Sequence, residues 1–259
     1  MKRAFTDRQI DGDGPLSQTG RGREDLRNKV GLVTGASSGI GAAVARELGR
    51  AGMQLVLTGR NPERLGAVAA ETGASEIFVG DLEADGVVAA LSHRAIERFG
   101  GVDLLAHSAG LFLAGTVEAT PVAALIRLFR LHVVVPYCLT QALLPALVER
   151  KGQVVFINSS AGAHPAKAEL SGYAASKHAL HALADSLREE VNPRGVRVIS
   201  VYPGRTATPM QEEVHRFERR AYLPERFLTP QDVAAAVLSA VTLPRTAEMT
   251  DLHVRPFSR

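Results

Sequence analysis

The chain has 259 residues, of which 46% are hydrophobic and 22% charged, and a formal net charge of +3 at neutral pH. That length and apolar content suffice for one large core, while the mild, scattered charge makes no case for nucleic acid. A single cysteine, Cys138, excludes an internal disulfide, and no run near twenty residues reads as continuously apolar, so a soluble cytoplasmic protein without a membrane span is expected.

Residues 1–27 are polar, with Asp11-Gly-Asp-Gly14-Pro15 and Gly20-Arg-Gly-Arg23 and no apolar core of a signal peptide. They are expected to form a flexible extension, leaving residues 28–259 as a single domain. Lys29 to Thr34 is a short apolar run, followed by Gly35-Ala-Ser37-Ser38-Gly39-Ile40-Gly41 and then by a segment of helical period over 42–50. This order predicts strand, glycine turn and helix. The glycines let the backbone turn sharply and approach a pyrophosphate, whose charge the free amides of the helix N-terminus attract.

The next strand, 53–58, ends in Gly59-Arg60, where dinucleotide-binding folds commonly place an acidic residue for the adenosine ribose. A guanidinium there suits a 2′-phosphate through forked, charge-assisted hydrogen bonds, which favours NADP over NAD; an ordinary exposed loop arginine is the alternative. Further strands are predicted at 76–79, 102–106, 153–158 and 196–201, with a last one around Asp251 to Pro256, alternating with helical segments. The pattern predicts an α/β fold: one doubly wound, Rossmann-like parallel sheet with flanking helices, and ligands at the carboxyl ends of the strands.

Ser160 stands thirteen residues before Tyr173-Ala-Ala-Ser-Lys177. On a helix over 173–188, Tyr173 and Lys177 share a face. One ammonium about 4 Å from a phenol, at an effective dielectric near 20, favours the phenolate by about 4 kcal/mol as an upper bound. Tyr173 is therefore expected to exchange a proton near neutral pH. His178 and His181 also share a face of that helix, but no acidic third ligand occurs at a diagnostic spacing, so no metal site is expected.

From about Asn28 to the C-terminus these motifs together resemble the short-chain dehydrogenase/reductase family, in its NADP-preferring subgroup. Thr34 to Gly41 is similar to the family's cofactor turn, Asp81-Leu82 to its pair beside adenine, and Val102-Asp103-Leu-Leu-Ala-His-Ser108-Ala109-Gly110 to its fourth strand and Asn-Ala-Gly segment. Pro203-Gly204-Arg-Thr206-Ala-Thr208 is similar to the turn over the nicotinamide. The resemblance implies an NADP(H)-dependent oxidoreductase that reduces a carbonyl or oxidises an alcohol. Tyr173 would be the general acid, Ser160 the partner of the substrate oxygen, and Lys177 both the acidifier of Tyr173 and the holder of the nicotinamide ribose. It further implies a substrate lid over 206–229, which includes Met210 and several basic residues, and a homodimer or homotetramer. His164 and Lys167 are candidate polar contacts to substrate.

Two departures stand out. Ser108 replaces the asparagine of the Asn-Ala-Gly segment, and His132 falls where the family's fourth catalytic residue is an asparagine. His132 reads as an altered member of the proton relay, as a packing substitution with the relay carried by backbone groups, or as a mark of lost activity. These departures motivate one competing function, a non-catalytic NADP-binding sensor or scaffold; among enzymes, an NAD-linked dehydrogenase is the nearest competitor.

Overall fold

Residues 22–74, 76–164 and 167–257 are described by a computed structural model. Strands β1 (Val30–Thr34), β2 (Gln54–Gly59), β3 (Glu76–Val79), β4 (Leu104–His107), β5 (Gln153–Ile157), β6 (Arg197–Pro203) and β7 (Asp251–Val254) form one all-parallel sheet in the order β3-β2-β1-β4-β5-β6-β7. The helices are α1 (Gly39–Arg50), α2 (Pro62–Thr72), α3 (Val87–Phe99), α4 (Val122–Phe129), α5 (Val135–Glu149), α6 (Ser171–Val191), α7 (Pro209–Glu218) and α8 (Pro230–Val241). Strand order reverses between β1 and β4, so a crevice opens at their carboxyl ends.

The five inner strands, β1, β2, β4, β5 and β6, lack alternation because both sheet faces are covered there. Leu55 and Leu57 of β2 pack with Leu48 of α1 and Val237 of α8, whereas Val56 between them packs with Leu139 and Leu143 of α5. Two helices extend beyond their expected bounds. α1 begins at Gly39 because the glycine turn itself supplies its first turn, and α6 runs from Ser171 to Val191.

Two expectations are corrected. Residues 1–21 lie outside the described residues, but the expected boundary at residue 27 falls late: Leu26 is buried, and Glu24 is bonded to Lys29, Arg197 and Arg245. The tract Val122–Glu149 is also long and apolar enough, by length and composition, to cross a bilayer. Here its stripe of Leu128, Leu131, Leu139, Leu143 and Leu147 is buried in the domain. The other side leaves Val122, Ile126, Val134 and Tyr137 exposed. A π-helical turn, Arg130–Val134, joins α4 to α5.

Candidate active site

The crevice is built from close backbone contacts. Gly35 has φ 66°, and a Cβ there would lie 2.8 Å from Ala109 Cα; a Cβ on Gly41 would lie 2.4 Å from the Gly35 carbonyl oxygen. Neither position tolerates a larger residue. Thr34 Oγ1 accepts hydrogen bonds from the Ser108 and Ala109 amides at 3.0 and 3.1 Å, which ties the turn after β4 to the one after β1. Ser38 is the N-cap of α1 but its hydroxyl makes no capping bond, and no acidic residue occupies the first turn. The positive end of the helix thus faces the crevice uncompensated, as a phosphate site requires. Arg60, exposed just past β2, forms no ion pair among the described residues. This cradle, bare of side chains and flanked by a guanidinium, fits a phosphorylated dinucleotide.

One cavity of about 490 Å³ gathers the predicted site residues. Gly35, Ser37, Ser38, Gly39, Ile40 and Gly41 line it with Arg60, Asp81 and Leu82 at one end. Ser108, Ala109 and Gly110 run along it, and His132, Ser160, Tyr173 and Lys177 stand further in, facing Pro203, Gly204, Thr206, Thr208, Met210, His164 and Lys167. Several have structural duties as well. Thr208 Oγ1 caps α7 by accepting from the Gln211 amide at 3.2 Å, and buried Thr206 donates to the Gly204 carbonyl at 3.0 Å.

Tyr173 and Lys177 rise one turn apart on α6, both buried. Burial raises the pKa of the phenol above its ordinary value, and a hydrogen bond with the Ser159 hydroxyl partly offsets this. Lys177 makes its hydrogen bond to the sheet backbone. Its ammonium donates to the Ile157 carbonyl at 3.2 Å, and burial lowers its own pKa to about 8. The hydroxyl that tempers the phenol belongs to Ser159, which the sequence did not single out, while Ser160 borders the same cavity one residue on. Asn158 was also missed. Buried at the end of β5, it donates from Nδ2 to the Lys177 carbonyl at 3.1 Å and fixes α6 against the sheet.

His132 sits inside the π turn, almost wholly buried. Its Nε2 accepts from the Leu111 amide at 3.2 Å and its Nδ1 lies 2.9 Å from Ser176 Oγ. Burial, with the nearby Lys177 charge, lowers its pKa to about 2, so the ring is neutral.

Over the far end lies α7. Arg205 donates to both carboxylate oxygens of Glu218 at 2.6 and 2.8 Å and to His215 Nε2 at 3.0 Å. The basic character expected of the lid does not reach the cavity as free charge. Arg205 is neutralised by Glu218, and Arg216, Arg219 and Arg220 are exposed away from the lining. Met210 lines the wall, whereas His164 and Lys167 are exposed at the rim.

His178 and His181 do not converge: His178 Nδ1 bonds the Ala174 carbonyl. The acidic neighbours of His181 come instead from one helical turn on, Asp185, and from β7, Asp251, with ligand atoms within 4.8 Å of one another. His181 Nδ1 contacts the Tyr202 hydroxyl at 3.0 Å, its Nε2 pairs with Asp185, and Asp185 also binds Arg188, so an ion-pair network accounts for the group.

Comparison with known proteins agrees with this geometry. The family model described as short chain dehydrogenase matches residues 29–219. An uncharacterized oxidoreductase of Staphylococcus epidermidis is 32% identical over 233 residues, covering 89% of this chain and 98% of that protein. Among solved structures, an alcohol dehydrogenase from the archaeon Thermococcus sibiricus, complexed with 5-hydroxy-NADP, has a TM-score of 0.79 at 28% identity, covering 90% of this chain and 98% of that one. A metagenomic short-chain oxidoreductase in complex with NADP has a TM-score of 0.77 at 32% identity, covering 90% and 99%. With its sheet order, glycine cradle and Tyr173–Lys177 pair in one cavity, the chain is an oxidoreductase of the short-chain dehydrogenase/reductase family.

Proposed function

We propose that the protein is an NADP(H)-dependent carbonyl reductase or alcohol dehydrogenase acting on a CH–OH group, with Tyr173 exchanging the proton. The carrying observation is the buried Tyr173–Lys177 pair at the inner end of a cavity whose other end is the bare glycine cradle. NADP(H) is favoured over NAD(H) because Arg60 stands where an acidic residue would meet the ribose, and because related structures are solved with NADP. When bound, the cofactor supplies a hydride from C4 of its nicotinamide to the carbonyl carbon.

The chain's own residues do the rest. The backbone from Gly35 to Gly41 and the α1 N-terminus hold the pyrophosphate, Arg60 the 2′-phosphate, and Asp81 and Leu82 the adenine side. Ser108, Ala109 and Gly110 flank the cofactor, with Pro203, Gly204, Thr206 and Thr208 on the nicotinamide side. A serine hydroxyl, Ser159 or Ser160, orients the substrate carbonyl oxygen. Tyr173 would donate its phenolic proton to that oxygen, giving the alcohol. Lys177 stabilises the resulting phenolate and holds the nicotinamide ribose. Substrate approaches past Met210 and His164.

The exposed apolar side of α4 and α5 supports pairing with a second copy of the chain, as a homodimer or as half of a homotetramer. Light scattering of the purified protein tests the assembly. Oxidation of NADPH, followed by loss of its near-ultraviolet absorbance against aldehydes, ketones and keto acids, tests the chemistry. Turnover that Tyr173→Phe abolishes while NADPH still binds supports the reading. NADPH binding with turnover indifferent to that substitution overturns the role of Tyr173.

A further inference from the structure

The substrate end of the cavity has a chemistry of its own, distinct from the machinery that handles hydride and proton. Phe112, in the loop after β4, presents its ring edge-on to Tyr173 at 5.5 Å between centroids and to Phe217 of α7 at 6.1 Å. The proton donor is therefore linked by aromatic contacts to the lid. Leu170, Met210 and Val214 line the same end. Arg205, the guanidinium there, is already matched. Glu218 holds the Arg205 guanidinium through two hydrogen bonds, and Arg205 also donates to His215.

Resting on the reductase reading above, we propose that this end selects neutral carbonyl compounds bearing an aromatic or comparably bulky apolar group next to the reacting carbon, and disfavours substrates that carry a carboxylate. A phenyl group beside the carbonyl would contact the Phe112 face or edge, as aromatic pairs prefer, and displace water from an apolar wall. A carboxylate in the same place would meet the Glu218 carboxylate rather than a free cation. Arg205 could serve it only by giving up its forked pair, and Lys167 stands out at the exposed rim. A polyhydroxylated substrate would leave its hydroxyls without partners against Phe112, Leu170 and Val214.

The electron count is that of the parent reaction. The ketone carbon accepts the hydride of NADPH, its oxygen accepts the Tyr173 proton, and a secondary alcohol and NADP⁺ result.

The test compares initial rates of NADPH oxidation on acetophenone, phenylglyoxylate, butanone and dihydroxyacetone, for the native chain and for Phe112→Ala. Acetophenone and phenylglyoxylate share the aryl ketone and differ in the carboxylate. The expected result is a kcat/KM for acetophenone at least tenfold above that for phenylglyoxylate and for dihydroxyacetone. In Phe112→Ala the acetophenone-to-butanone ratio should fall about tenfold, mainly through KM. A preference for phenylglyoxylate or dihydroxyacetone, or an unchanged ratio in Phe112→Ala, overturns this inference while leaving the reductase reading standing. Binding of NADPH with no turnover of any of the four, nor of a wider aldehyde panel, overturns both.

Discussion

His132 and Ser176 are joined at 2.9 Å through Nδ1 and Oγ, and the direction of that bond is fixed by its neighbours. The Leu111 amide can only donate, so Nε2 of His132 is the accepting nitrogen and Nδ1 carries the proton. Ser176 receives that proton's hydrogen bond and passes its own to the Tyr173 carbonyl at 2.8 Å. The ring is thus a neutral clamp between the loop after β4 and the first turns of α6. Of the three readings of His132, the geometry favours the packing substitution: both nitrogens are engaged, and neither reaches Lys177.

Replacing the clamp with an apolar side chain should therefore cost stability. His132→Leu strands the part-buried Leu111 amide, and an unsatisfied buried donor costs about 1–3 kcal/mol, so a loss near the lower end is expected. Urea unfolding of the two proteins checks this. A difference below about 0.5 kcal/mol would mean that the amide finds another partner.

Acid should weaken the fold through two histidines. Burial lowers the pKa of His107 to about 3 and, with the Lys177 charge, that of His132 to about 2, both below the ordinary value. Each ring is neutral when folded and takes up a proton on unfolding once pH drops below about 6.5. The unfolded state then binds more protons, so their contribution is fully present above that pH and is lost as pH falls. With both rings acting, about 3 kcal/mol should disappear between pH 7.5 and 5.5. Unfolding midpoints at those two pH values measure it. His107→Gln, which can still bond Thr140, should roughly halve the loss, and equal loss in the variant would remove His107 from the account.

Arg60 should govern which cofactor is held. Charge-assisted hydrogen bonds contribute about 1.5–3 kcal/mol, so Arg60→Ala should weaken NADPH binding about tenfold to hundredfold and leave NADH nearly unchanged. Fluorescence titration with each nucleotide decides. Equal weakening of both would make Arg60 a general contact rather than a reader of the 2′-phosphate.

Glu24 should matter far more than an N-terminal polar residue ordinarily would. Glu24→Gln removes the carboxylate from Arg197, which is 6% exposed. The guanidinium keeps the Val241, Leu243 and Ala247 carbonyls, so the expected cost is about 2 kcal/mol, less than for stranding a buried charge outright. Thermal unfolding of the variant tests this, and an unchanged midpoint would reduce the contact to a surface pair.

What the sequence made legible was local. The strands, the glycine turn and the Tyr173–Lys177 spacing are each written within a few consecutive residues, so β1, α1 and α6 were readable within a few positions at their ends. Ser159, Asn158, Phe112 and the Arg205–Glu218 pair were not, because each acquires meaning from a partner on another element. Asp185 and Asp251 approach His181 only because β7 lies beside β6. Spacing placed the Lys177 charge one turn from Tyr173, but only the fold shows its burial and its bond to the Ile157 carbonyl.

The Glu24 clasp also has a temporal meaning. Its contacts to Arg197 and Arg245 span 173 and 221 residues, so it joins the start of the described chain to a segment near its end. A ribosome must have released almost the whole polypeptide before the clasp can close. Until then β6 has an arginine without its carboxylate, and a nascent chain stalled before Arg245 lacks the contact that seals the ends together.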